Sequence, residues 1–95
     1  MVNISLTFPK DLTKLAGNKF GRFTYEEQVK SIIDSNRGDS FLIEIPERID
    51  RIASSFIQGF FEEYVEKYGL SAVEENIVIK STIDNINQLV LDNLE

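Results

Sequence analysis

The sequence predicts an α/β fold, a small, mostly parallel sheet of four or five strands packed with three helices in the order β-(β)-α-β-α-β-α. Three observations carry that prediction. Strand-like segments, one alternating and two compactly apolar, alternate with segments of helical period along the chain. The helical segments are long enough to serve as crossovers, which implies right-handed connections and parallel pairing among the later strands. With 95 residues, the chain has the length of one domain built on a single core.

In "VNISLTF", residues 2–8, Val2, Ile4, Leu6 and Phe8 alternate with Asn3, Ser5 and Thr7, which is the pattern of a strand with one buried face. Pro9 lacks an amide donor and ends it. The glycines at 17 and 21 in "KDLTKLAGNKFGRF" mark turns, with room for a short second strand over Lys19–Phe23. Thr24 followed three residues later by Glu27 is a capping box. Tyr25, Val29, Ile32 and Ile33 then share one face, so residues 25–35 form an amphipathic helix with Gly38 at its exit. "SFLIEI", residues 40–45, is a near-continuous apolar run ended by Pro46, as in a strand covered on both faces. "ERIDRI" connects it onward.

From Ser54 the period changes to 3.6. Phe56, Phe60, Tyr64 and Tyr68 form one i,i+4 row, with Ile57, Phe61 and Val65 beside it. Ser55 with Gln58 forms a second capping box, and Gly69 ends the helix. Gly59 lies inside this helix at a cost of roughly 0.5–1 kcal/mol relative to alanine, so close approach of another element, internal or from a partner, must compensate. "NIVIKST" holds a strand at 76–80. Ser81 followed by Asp84 caps a last helix in which Ile83, Ile86, Val90 and Leu94 share a face.

Composition excludes several classes of function. The chain has no cysteine, which removes disulfides, thiolate catalysis and zinc–thiolate sites, and suits a cytoplasmic location. It also has no histidine, which removes the commonest general base and the commonest transition-metal ligand. A non-catalytic role is therefore expected. No apolar run approaches the ~20 residues of a membrane span, and the first ten residues lack the pattern of a signal peptide.

Net charge is −6 and uneven: residues 1–37 carry six Lys/Arg against four Asp/Glu, whereas 38–95 carry four against twelve. Such a surface repels nucleic acid, because phosphate neutralisation needs clustered cations. The asymmetry aids solubility and could orient a protein partner. Glu62, Glu63 and Glu66 have no Asp-rich loop around them and make a solvated helix face rather than a cation site. "GNKFGRF" fits no nucleotide-binding fingerprint, so no cofactor is implied.

Ser54 and Ser55 stand where a helix begins. A serine there satisfies an amide, and its loss typically costs ~1 kcal/mol. The same geometry suits a phosphate, because the unpaired amides and the helix dipole favour an anion. Arg48 and Arg51 lie just upstream, either as plain surface arginines or as partners for that phosphate or for an acidic residue of another protein.

"IEIPERIDRIASSFIQGFF", residues 43–61, resembles the STAS-like family, relatives of the anti-sigma factor antagonist (STAS) domain. STAS domains follow a strand and short turn with a helix beginning near "D-S-S-G-L", and the STAS-like group is similar, with "S-S-F-L" leading an acidic, Phe-bearing helix. Here the run is Ser54-Ser55-Phe56-Ile57, followed by Phe60, Phe61, Glu62 and Glu63. The upstream Gly21-Arg22-Phe23 is also similar to that pattern, and element order agrees from about residue 2 to 94. Ala53 stands in place of the STAS aspartate and Phe56 in place of its glycine.

The resemblance implies a cytoplasmic regulatory protein–protein interaction module of bacterial or phage origin. In that family the partner is an ATP-binding anti-sigma factor of kinase-like type, which phosphorylates the serine; the unmodified antagonist binds and the phosphorylated one lets go. Matching the motif places that serine at Ser54 with Ser55 beside it, and Arg51, Ser54, Ser55 and Gln58 become the expected contact surface. The alternative is a structural or oligomerisation subunit without a phospho-switch. A homodimer is compatible with either. A third class, an enzyme working through carboxylates alone, needs an acidic pair converging in a cleft.

Overall fold

The computed structural model describes residues 1–95 and divides the predicted alternation into ten elements. The first half contains β1 (Val2–Ser5), β2 (Lys14–Leu15), α1 (Asn18–Gln28), α2 (Lys30–Ser35) and β3 (Phe41–Glu44). The second contains β4 (Arg51–Ile52), α3 (Ser54–Tyr68), α4 (Leu70–Asn76), β5 (Ile77–Lys80) and α5 (Ile86–Leu94). The strands form a three-stranded parallel sheet in the order β1-β3-β5 and a separate parallel pair, β2 with β4. The chain is thus α/β as expected, with five helices instead of three and its strands divided between two small sheets.

Register explains the core. Val2, Phe41 and Ile77 form one row across the three strands, and Ile4, Ile43 and Ile79 form another on the same face. All but half-buried Val2 are inside the core. The intervening rows, Asn3–Leu42–Val78 and Ser5–Glu44–Lys80, point the other way, and Val78 is 43% exposed. The sheet is therefore covered on one face only, which corrects the expectation that residues 40–45 are enclosed on both. The cause is topological: both crossovers advance in the same direction across the sheet, so a shared right hand lays their helices on one side.

Lys19–Phe23 is helical, not a strand. Gly17 adopts φ 99°, which glycine alone takes readily, and lets the chain turn directly into α1. The Thr24–Glu27 capping box does not form, because Thr24 lies one and a half turns inside the helix. Its hydroxyl is buried and donates to the Phe20 carbonyl at 2.8 Å. A break at fully buried Val29 splits the expected 25–35 helix into α1 and α2. The last helix also begins later than its capping pair: Ser81 Oγ accepts the Ile83 amide at 3.0 Å within the turn, and Asn85, at φ 56°, leads into α5.

The backbones of α1 and α3 approach each other closely at two glycines. A β-carbon on Gly21 would strike the Phe56 carbonyl oxygen and lie 2.7 Å from the Phe60 nitrogen. One on Gly59 would strike the Asn18 carbonyl and lie 2.9 Å from its Cα. The approach that compensates Gly59 is therefore internal. Aromatic rings fill the space around the crossing, with Phe20 edge-on to Phe56 (5.5 Å between centroids) and Tyr25 edge-on to Phe60 (5.6 Å).

Polar contacts close the rim of this seam. Lys30 pairs with Glu63 at 2.9 Å and Arg22 with Glu62 at 3.7 Å. The Asp34 carboxylate accepts the Tyr68 hydroxyl at 2.7 Å and pairs with Lys67 at 3.1 Å, and these two contacts hold it below the usual carboxylate range. Tyr25 is buried with no partner for its hydroxyl; burial, then the charges of Glu63 and Asp34, pushes it above the ordinary tyrosine range. The third tyrosine, Tyr64, packs against Tyr68 at 4.9 Å.

Gly59→Ala and Gly21→Ala are each expected to destabilise the fold by ~3 kcal/mol or more through overpacking, despite the ~1 kcal/mol gained in helix propensity. Urea midpoints equal to the parent's would refute the contact. Asp34 yields a pH prediction. Its folded value lies below its unfolded one, so its stabilisation is complete above the ordinary carboxylate value and vanishes as pH falls through the folded value. Asp34→Asn is expected to cost about 1 kcal/mol at neutral pH. That deficit should shrink toward zero in acid, as read from denaturation curves across pH.

Candidate functional site

The start of α3 is held by a brace that short-range sequence patterns do not announce. β2 pairs with β4, Lys14 beside Arg51 and Leu15 beside Ile52. The Asp50 amide donates to the Thr13 carbonyl, and the Ala53 amide to the Leu15 carbonyl, both at 2.8 Å. This ladder carries Gly17 to the first turn of α3, where its amide donates to Ser55 Oγ at 2.9 Å. Ser55 is thus engaged with the segment entering α1 and not with its own helix.

That contact corrects the expected Ser55–Gln58 capping box. The residue preceding α3 is Ala53, in extended geometry, and no side chain caps the helix. Its carbonyl receives the Phe56 and Ile57 amides at 3.1 and 3.3 Å, while the Ser54 and Ser55 amides have no acceptor in the protein. Gln58 is directed away from the turn and donates to the Asn93 carbonyl near the end of α5 at 3.4 Å.

The two hydroxyls have different surroundings. Ser55 is half-buried and hydrogen-bonded; Ser54 is exposed, and its hydroxyl makes no hydrogen bond. Arg51 and Gln58 are also exposed, and Arg51 has no ion pair. Arg48 is tied elsewhere, its guanidinium donating to the Phe8 and Pro9 carbonyls. Lys14 and Asp50 pair at 3.4 Å, a contact between mostly exposed groups that adds little. Ser54 and Ser55 therefore open α3, with Arg51 before them in β4 and Gln58 one turn on and directed toward α5. Arg51, Ser54 and Gln58 face solvent, and Ser55 is turned inward. Leu15 and Gly17, which hold the turn, were identifiable only as part of a glycine-marked loop.

No group of three or more acidic side chains converges to hold a metal. The apolar gap bounded by Ile43, Phe56, Phe60 and Val90 has a volume of about 20 Å³, a packing defect scarcely larger than a water. At the carboxyl ends of the sheet strands an open dip is lined by Ser5, Glu44, Glu47, Lys80, Ser81 and Thr82, and Lys80 and Glu47 are solvated there.

Ser55→Ala removes the acceptor of the Gly17 amide and is expected to cost ~1 kcal/mol. Ser54→Ala should stay within about 0.5 kcal/mol of the parent, as a surface change with no partner. Equal losses in chemical denaturation would contradict this division of labour. No protein-family model matches the chain, and neither a curated protein nor a solved structure is significantly similar to it.

Proposed function

We propose that this chain is a non-catalytic regulatory protein–protein interaction module of the anti-sigma factor antagonist type, working in the bacterial cytoplasm and contacting its partner through Arg51, Ser54, Ser55 and Gln58. The observation that carries the reading is the exposed Ser54 hydroxyl, unengaged on the first turn of α3 beside a neighbour that is engaged. A phosphate on Ser54 adds about −1.5 to −2 of charge. It does so where two amides lack acceptors and the helix dipole favours an anion, so the fold tolerates it. A docked partner surface does not, since it must desolvate the new charge. Phosphate on Ser55 would instead displace the Gly17 amide, which makes Ser54 the modified residue.

The partner that fits is an ATP-binding, kinase-like regulator: it supplies the nucleotide, binds the unmodified module and releases the phosphorylated one. Incubation with ATP and a co-purifying kinase-like ATPase is expected to place phosphate on Ser54, located by mass spectrometry. Ser54→Asp should weaken partner binding at least tenfold, and Ser54→Ala should bind without release. No phosphate on either serine, with binding indifferent to Ser54→Asp, would overturn the switch. A constitutive assembly with the same indifference is the outcome expected of a structural subunit instead.

A further inference from the structure

The two edges of the three-stranded sheet are treated differently. On the β5 edge, the Asn87 side chain acts as a substitute strand residue: its Oδ1 accepts the Ile79 amide at 2.8 Å and its Nδ2 donates to the Ile79 carbonyl at 3.1 Å. The Ile77 amide is taken by the Val73 carbonyl at the end of α4. That edge is closed. Beyond the end of β1, Gln28 does the same for Thr7, accepting its amide at 2.7 Å and donating to its carbonyl at 2.9 Å. Between these caps β1 itself is open.

β1 has one neighbour, β3. The Val2 and Leu6 amides donate to the Ser40 and Glu44 carbonyls at 2.9 Å, so alternation turns the amides and carbonyls of Asn3 and Ser5 outward. Nothing in the protein bonds them. Residues 1–9 carry no charged side chain, so the edge lacks the lysine or inward charge with which proteins usually block strand addition.

We propose that this edge joins two copies of the chain, β1 pairing antiparallel with β1 of its partner about a two-fold axis at Ile4. That register sets each Asn3 opposite a Ser5, and every outward donor meets an acceptor in two hydrogen-bonded residue pairs. The pattern of side chains is self-complementary in this arrangement. On the helix side Val2 meets Leu6 and Ile4 meets Ile4; on the bare side Asn3 meets Ser5, small polar against small polar. The axis is closed, so assembly stops at two, and the Gln28 cap limits pairing to β1. The neutral edge also lets two chains of net charge −6 approach without opposing charges at the contact. The product is a six-stranded sheet in the order β5-β3-β1-β1-β3-β5 with all helices on one side. This inference is independent of the α3 surface.

Sedimentation or light scattering at several hundred micromolar is expected to give twice the 10.9 kDa of the chain. Ser5→Pro removes an outward amide that the internal ladder does not use, so it should give a monomer whose circular dichroism and unfolding midpoint match the parent's. Since the chain has no cysteine, a second experiment reads register directly. Asn3→Cys mixed with Ser5→Cys should form the mixed disulfide under mild oxidation, in severalfold excess over either homodisulfide. A parent that stays monomeric at that concentration would overturn the proposal. So would a dimer that survives Ser5→Pro, or one whose cysteine variants show no preference for the mixed species.

Discussion

The contact of two helix backbones at Gly21 and Gly59 is the constraint on which the rest of this protein depends. Each glycine faces main-chain atoms of the other helix, so the two axes sit closer than any side chain between them would permit. The consequences run outward from there. Asn18, pressed against Gly59, is the first residue of α1, and its position fixes Gly17 one residue earlier. Gly17 in turn donates to Ser55, and Leu15 accepts from Ala53. The entry to one crossover helix and the entry to the other are thereby a single rigid unit. The serine that latches them is chemically distinct from the serine beside it that faces water.

The same unit explains why a sheet covered on one side suffices. Both crossovers lay their helices on the face formed by Ile4, Ile43 and Ile79, and the glycine crossing lets α1 and α3 lie close together above it. Phe56, Phe60, Phe61 and Tyr64 are then all buried from a single helix. Burying a large apolar side chain contributes roughly 1.5–3 kcal/mol each, so α3 dominates the core. The opposite face keeps small or charged residues, the half-buried Leu42 and the exposed Val78.

The long elements were legible because periodicity is a property of burial on one side. α3 matches the row of Phe56, Phe60, Tyr64 and Tyr68 from Ser54 to the glycine at 69, and β1, β3 and β5 lie within their alternating or apolar runs. What periodicity missed has local causes. β2 and β4 are two residues each, too short to show any period, and they exist only because they pair with each other. Gly21 was read as a turn because glycine has the same signature whether it bends a chain or admits a neighbouring backbone. The two capping boxes were sound as patterns, yet tertiary contacts took their residues: Thr24 lies inside a helix, and Ser55 serves a different one. At the candidate surface the position of Ser54 and Ser55 at a helix start was legible, whereas the asymmetry that turns Ser55 inward depends on a residue 38 positions away.

The placement of the tyrosines has a consequence for how this molecule can be observed. The chain has three and no tryptophan, and all three stand on α1 and α3 around the Asp34–Glu63 rim. Tyrosine emission and the tyrosine bands of near-ultraviolet dichroism therefore report on that one junction. A melting curve read by tyrosine emission follows the separation of α1 from α3, while events along the β1 edge or at the first turn of α3 leave that signal unchanged.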